Sequence, residues 1–524
     1  MVAAVNSVGY FGMKAFLVRT ETDISAQAFR FDIVGLPDAA VKEAKDRVQS
    51  ALLNSGLQMP YDRVLVNLAP ANVRKEGSMY DLSMLLSLLI ATHQLRGNFE
   101  DAAFIGELSL SGEICAVNGV LPMTLFAKES GLKRIFVPAE NAPEASVIAG
   151  IEVFAVTDVR SLVSFLRDPL NHTGEYPRRM PSYVFGAAGR QPFPFDFSDV
   201  KGQSAVKRAL EIAAAGGHNV LMCGAPGAGK SMLAKRLPSI LPDMSFEESL
   251  ETTKIYSVAG LLDRKSGLVT VRPFRSPHHT GSLASLAGGG TVPKPGELSL
   301  AHNGVLFLDE LPEFPRASLE ILRQPLENGE ITLTRVAGTV TYPCSIMLVG
   351  AMNPCPCGYR GHPTIKCTCS PGAAERYLGR ISGPMMDRID IQVEVEPVRY
   401  EDLIATKPEE SSAEIKRRVD AARAIQRERF KDSSTECNAK MTSVERSRYC
   451  VLSPAAEKLL SGAFERLSLS ARAYDKILKL SRTIADLAGS ADIREEHIFE
   501  AINFRTMDRG VSRDEAQKLY QEQT

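Results

Sequence analysis

No apolar run in this chain reaches the roughly 18–20 residues that a membrane-spanning helix needs. The nearest, over 82–91, is interrupted by serines and predicts a buried helix instead. The first twelve residues lack the basic start and apolar centre of an export signal, which makes the cytoplasm the expected compartment. Charge of one sign is missing as well: 61 Lys and Arg stand against 62 Asp and Glu, a net charge of −1. That excludes a surface coated with positive charge. It leaves nucleic acid open, because a ring can gather its Lys and Arg on a channel wall while its outside stays acidic. The nine cysteines do not spread as a disulfide framework would; four crowd between 355 and 369. In a cytoplasmic protein such crowding points to metal. With 44% hydrophobic and 23% charged residues the composition is ordinary for a globular protein. A length of 524 residues suffices for about three domains.

What is present is a phosphate-binding pattern. The run Gly224-Ala225-Pro226-Gly227-Ala228-Gly229-Lys230-Ser231 satisfies G-x-x-x-x-G-K-[ST]. It follows the apolar run 220–222, read as a strand, and leads into a helix from about 232. In that context glycines let backbone N–H groups converge on phosphate, Lys230 reaches the terminal phosphates and Ser231 faces a magnesium ion. Asp309 and Glu310 close a second apolar strand, 304–310. There Asp309 suits magnesium, and Glu310 suits orienting and deprotonating the attacking water. Asn353 ends a third such run, 346–350, where an amide can hold that water or sense the γ-phosphate; Asn before Pro is also a plain turn former. Arg388 and Arg472 are candidates for an arginine finger and a lid arginine, or for surface ion pairs.

The strand runs have the continuous apolar character of a parallel sheet covered on both faces. Residues 1–170 read as a separate α/β domain, with strands over 29–34, 64–68 and 104–110 and helices over 38–53 and 81–93. A Pro- and Arg-rich linker over 171–194 follows, then an ATPase core over 195–407. Residues 408–524 read as a helical lid, with candidates over 413–430, 454–464, 470–488 and 494–504. The pattern Cys355-x-Cys357 and Cys367-x-Cys369 outlines a four-thiolate structural zinc site, with loop cysteines as the alternative.

Several long stretches carry a resemblance. Gly202-Gln203, the P-loop, 272–280 (RPFRSPHHT), 295–314 (PGELSLAHNGVLFLDELPEF) and Asp387-Arg388-Ile389-Asp390 are similar to the magnesium-chelatase-like AAA+ proteins, among them the bacterial YifB/ComM family. The likeness covers essentially the whole chain and implies a homo-hexameric AAA+ ring using ATP and magnesium. For ComM-type members it implies a DNA helicase that drives branch migration in natural transformation, with recombination proteins as partners. Arg388 matches the family's arginine finger and Arg472 its lid arginine. The resemblance also implies an insertion at 263–297 and a hairpin at 330–342 lining the pore. Arg335, Arg264, Lys265, Arg272 and Arg275 become the candidates for contact with single-stranded or branched DNA, by phosphate rather than base readout. The competing reading is an AAA+ remodeller acting on a protein partner. Residues 106–112, 116–121 and 135–141 resemble a Lon-type protease domain of ribosomal-S5-domain-2-like fold. In that match Met79 and Met123 replace the serine nucleophile and lysine base, which implies no proteolysis.

Overall fold

The computed structural model describes residues 2–186, 193–290, 293–335, 338–398, 401, 409–466 and 469–505. Residues 2–186 build an eight-stranded mixed sheet. Its order is Arg178–Arg179, Glu152–Val156, Arg134–Pro138, Ala102–Phe104, Ala3–Phe11, Lys14–Ser25, Arg63–Ala69 and Arg30–Val34. Helix Ala39–Asn54 starts where Asp38 accepts the Val41 N–H at 2.8 Å, satisfying one free donor of the first turn. It buries Val41, Ala44, Val48, Ala51 and Leu52, an i, i+3, i+4 stripe.

Helix Asp81–Ala91 is buried on nearly all sides. The serines that interrupt its apolar run have partners within the core: Ser83 pairs with Thr20 at 2.9 Å and Ser87 with Thr22 at 2.6 Å, both on Lys14–Ser25. Each hydroxyl is thereby spared an unmet desolvation cost.

Two expectations change here. The run 104–110 is not one strand: Ala102–Phe104 lies in the large sheet, and Glu107–Leu108 pairs with Ile114–Cys115. The break falls at Gly106, whose carbonyl accepts the Leu82 N–H at 3.2 Å and whose missing side chain leaves room for Ile114. The stretch expected to be a linker also contributes structure, since Arg178–Arg179 adds an antiparallel edge to Glu152–Val156. Residues 187–192 of that stretch lie outside the described residues.

The second sheet is five-stranded and parallel throughout, in the order Phe274–Arg275, Val305–Leu308, Met347–Met352, Val220–Gly224 and Ile391–Val395. Its three central strands are buried along their whole length, as helices on both faces require. Beyond it the described chain is helical: Ser412–Arg429, Ser443–Tyr449, Pro454–Arg466, Ala471–Leu487 and Glu495–Asn503. Ile477, Leu480 and Ile484 join Val206 and Leu210 of helix Ser204–Gly216 in one core. Helix Ser443–Tyr449 was not anticipated. It buries none of its residues and is held by a reciprocal cap between Thr442 and Glu445, so it shows no apolar period.

The first unit rests on the second through Leu121, Val147, Ile148 and Leu268, with the Gly119 N–H donating to the Ser257 carbonyl at 3.1 Å. Among the described residues no helix is long and apolar enough to cross a membrane.

Candidate functional site

The parallel sheet brings together residues far apart in sequence at the carboxyl ends of its strands. Gly224 ends the Val220–Gly224 strand against the Val395 backbone, where a side chain has no room. Gly227 and Gly229 hold φ +79° and +92°, left-handed values that any other residue reaches only with strain. This lets the 225–229 backbone double back onto helix Lys230–Arg236. The Lys230 ammonium lies inside the loop. It donates to the carbonyls of Gly224 at 2.7 Å and Ala225 at 2.9 Å, and to Asn353 Oδ1 at 3.2 Å. Burial lowers its pKa; Cys223, Asp309 and Glu310 act in the opposite direction.

Ser231 Oγ donates to Asp309 Oδ2 at 2.6 Å, which sets two hard oxygen donors side by side, a fit to a magnesium ion. Asp309 Oδ1 accepts the Glu310 N–H at 3.0 Å. Glu310 sits at φ +53°, an uncommon conformation for a residue with a side chain, and its carboxylate is about half exposed. One residue near it belongs to the basic insertion in the sequence reading, which gave it no role beside Glu310. His279 Nδ1 lies 3.4 Å from Glu310 Oε2, with its ring edge-on to Phe314 and close to His278. The signal was present in the His278-His279 pair directly after strand Phe274–Arg275, but the pairing with Glu310 is tertiary.

Arg388 and Arg472 both stand by the loop that precedes Ile391–Val395. The Arg388 guanidinium contacts Glu327 and the Pro384 carbonyl and is largely covered, while its Nε has no partner among the described residues. Arg472, exposed on helix Ala471–Leu487, pairs with Asp387 at 3.2 Å.

The basic candidates separate into two groups. Arg272 donates to both Glu248 carboxylate oxygens at 2.9 and 3.0 Å and to the Pro242 and Asn303 carbonyls at 2.6 and 2.8 Å. Arg275 forms a bidentate pair with Glu297 at 2.6 and 2.7 Å, and that hydrogen bonding raises its pKa. Both arginines fasten the chain to itself in partly buried pairs, which a contact with phosphate would have to break. Arg264 pairs with Glu140 of the first unit, and Lys265 lies on the exposed surface beside it.

Arg335 is exposed at the end of an antiparallel hairpin, Glu330–Arg335 with Gly338–Pro343. Ile331, Leu333, Val340 and Tyr342 bury one face of that hairpin, and Thr332, Thr334, Thr339 and Thr341 expose the other. Its turn, 336–337, lies outside the described residues, as do 291–292 of the insertion.

The four cysteines converge. Their sulfurs all lie within 4.8 Å of one another, with Cys355 to Cys357 at 3.4 Å, Cys357 to Cys367 at 3.5 Å and Cys355 to Cys367 at 3.8 Å. This cluster can hold a metal ion. Backbone N–H groups of Tyr359 and Thr368 bring the Cys357 thiol down to about 5. In the first unit Met79 and Met123 are both buried in the core. The nearby Lys75 ammonium donates to the Pro70 carbonyl and the Ser78 hydroxyl to Glu107, so neither faces the other as a nucleophile–base pair would.

Comparison with known proteins follows this division. The family profile described as magnesium chelatase, subunit ChlI matches residues 196–403. Those for subunit ChlI of Mg-chelatase and for the ChlI C-terminal part match 20–141 and 409–505. The chain is 41% identical to the uncharacterised protein YifB of Escherichia coli (strain K12) over 97% of this chain and 98% of that protein. The competence protein ComM of Haemophilus influenzae shares 41% over the same proportions. A magnesium-chelatase 67 kDa subunit of Heliobacterium mobile shares 26% over 43% of this chain and 37% of its own. With near-full-length identity above 40% and the P-loop, Asp309 and Glu310 gathered at the carboxyl ends of the central strands, the chain belongs to the YifB/ComM family of magnesium-chelatase-like AAA+ proteins.

Proposed function

We propose that this protein is a cytoplasmic, ATP-driven ring motor that moves branched DNA through a central pore, as a homo-hexamer. Family membership supports the general role of an ATP-driven motor or remodeller. The observation that carries ATP hydrolysis is the convergence of Lys230, Ser231, Asp309, Glu310 and Asn353 from three strand ends. The P-loop amides and Lys230 would hold the phosphates, and Ser231 and Asp309 would hold a magnesium ion that supplies charge neutralisation there. Glu310 then takes the proton of the attacking water, while Asn353 orients it. Arg388 acts on the neighbouring protomer's nucleotide after leaving Glu327, and Arg472 acts from the helical region. The four cysteines would hold a zinc ion in a structural role, because a closed set of four leaves no position for a reacting ligand.

The name of the Haemophilus relative, competence protein, favours DNA as the track. So does the hairpin, whose turn sequence Arg335-Val336-Ala337-Gly338 offers a cation and no aromatic grip for a polypeptide. ATP turnover measured with and without four-way DNA tests the proposal on wild type, Glu310→Gln and Arg335→Ala. The expected results are stimulation by DNA, near-complete loss of turnover in Glu310→Gln with binding kept, and weaker DNA binding in Arg335→Ala. Turnover indifferent to DNA, with unchanged DNA binding in Arg335→Ala, would favour the protein remodeller.

A further inference from the structure

The cysteine cluster is not a free-standing knob. We infer that its zinc knuckle is a strut of the nucleotide site, seating the P-loop through Gly358 and Pro226, so that removing the metal lowers nucleotide affinity. This rests on the zinc reading above.

Tetrahedral zinc with four thiolates at about 2.3 Å separates the sulfurs by about 3.8 Å. Three of the sulfur separations, 3.4 to 3.8 Å, are already close to that edge. The Cys357 N–H also points at Cys369 Sγ, at 3.4 Å, and the Gly358 N–H closes a tight turn on the Cys355 carbonyl at 2.9 Å. A metal bound here needs little rearrangement of the backbone.

The turn presses on the P-loop. Gly358 holds φ +84°, and a Cβ placed on it would fall 2.5 Å from Pro226 Cδ and 2.6 Å from Cγ. Only a glycine lets this backbone lie flat against the proline ring. The same turn follows Asn353, whose Oδ1 accepts from Lys230, so the knuckle meets the loop at Pro226 and, through Asn353, at its lysine. Buried Tyr377, on helix Ala373–Leu378, takes a hydrogen bond from the Asn353 backbone. Without a metal to bridge them, the four sulfurs lose the bonds that would hold them within 4.8 Å, and the turn that seats Pro226 loses its tie.

Two kinds of variant separate the parts of this inference. Cys357→Ser combined with Cys369→Ser removes half the ligands. Gly358→Ala keeps all four thiolates but drives a methyl group into Pro226. Zinc per chain is measured by mass spectrometry, and affinity for a fluorescent ATP analogue is measured with magnesium present. Wild type should carry one zinc per chain. The double variant should lose it and bind nucleotide at least about tenfold more weakly. Gly358→Ala should keep its zinc and show a similar loss. Far-UV circular dichroism and a retained thermal transition establish that both variants fold; should the double variant unfold, wild type stripped of zinc by a chelator takes its place beside Gly358→Ala. Zinc-free wild type overturns the inference at its metal. Wild-type affinity in Gly358→Ala, or in a folded double variant lacking zinc, overturns the strut. Wild type that holds zinc but binds no nucleotide fails the ATPase reading instead.

Discussion

Replacing Asp390 by Asn tests how the helical region is fastened to the nucleotide sheet. Asp390 Oδ2 accepts the Asn219 N–H at 2.9 Å, and Oδ1 faces the Lys476 ammonium at 2.8 Å. Asn219 leads into the P-loop strand, Lys476 stands on helix Ala471–Leu487, and His218 Nδ1 adds a neighbour at 3.7 Å. Burial pushes the Asp390 carboxyl up, but Lys476 and His218 outweigh it and hold the pKa far below the carboxylate range. Burial also holds the Lys476 ammonium below its usual range, with Asp390 offsetting part of that.

Asparagine keeps the shape and removes the charge, which leaves Lys476 covered without its counter-ion. Breaking a buried pair from one side costs about 3–5 kcal/mol, and the 16% exposure of the Lys476 side chain places the expectation near the lower figure. The sign of the pH effect follows. In wild type the depressed carboxyl contributes fully above its unfolded pKa and is lost only as pH falls through its much lower folded value, so it adds no slope near neutrality. In the variant the Lys476 pKa falls further, and the unfolded chain binds more protons between that value and about 10.4. Stability should then rise with pH by up to about 1.4 kcal/mol per unit, more steeply than in wild type. Lys479 and Arg505 face the same cluster with like charge, which steepens the trend.

The chain has no tryptophan, so Tyr474→Trp on the same helix supplies a single local fluorophore. Urea unfolding followed by that signal at pH 7.5, 8.5 and 9.5, with and without Asp390→Asn, gives the comparison. A variant as stable as its parent, or destabilised equally at every pH, refutes the reasoning.

Four further outcomes are expected. Lys230→Ala removes a cation that now satisfies three acceptors and should reach phosphate when nucleotide binds; calorimetry should show affinity reduced about 100-fold, or roughly 3 kcal/mol. Arg388→Ala subunits mixed into wild-type protein should depress ATP turnover more steeply than their mole fraction if the arginine serves a neighbour, and in proportion to it if it does not. Arg275→Ala should lower stability by about 2–3 kcal/mol by orphaning Glu297, with the salt dependence of DNA binding unchanged. Arg335→Ala, by contrast, should reduce that salt slope by about one unit without loss of stability.

Local chemistry made much of this molecule legible from its residues alone. The glycine pattern of the P-loop, the apolar strands ending in Asp309-Glu310 and Asn353, and the buried period of helix Ala471–Leu487 each follow from constraints that act within a few residues. The split at Gly106, the edge strand Arg178–Arg179 and the unburied helix Ser443–Tyr449 were not legible, because a neighbour or a cap decided each of them.

Charge shows the division most plainly. An arginine in sequence is only an available cation, so Arg272, Arg275 and Arg335 look alike; folding spends the first two on Glu248 and Glu297 and leaves the third exposed. Residue type and short spacing thus determined which chemistry this chain can perform. The tertiary structure decided which groups are free to perform it, since hydrogen bonds and ion pairs between distant segments depend on where the backbone sets them and not on their order along it.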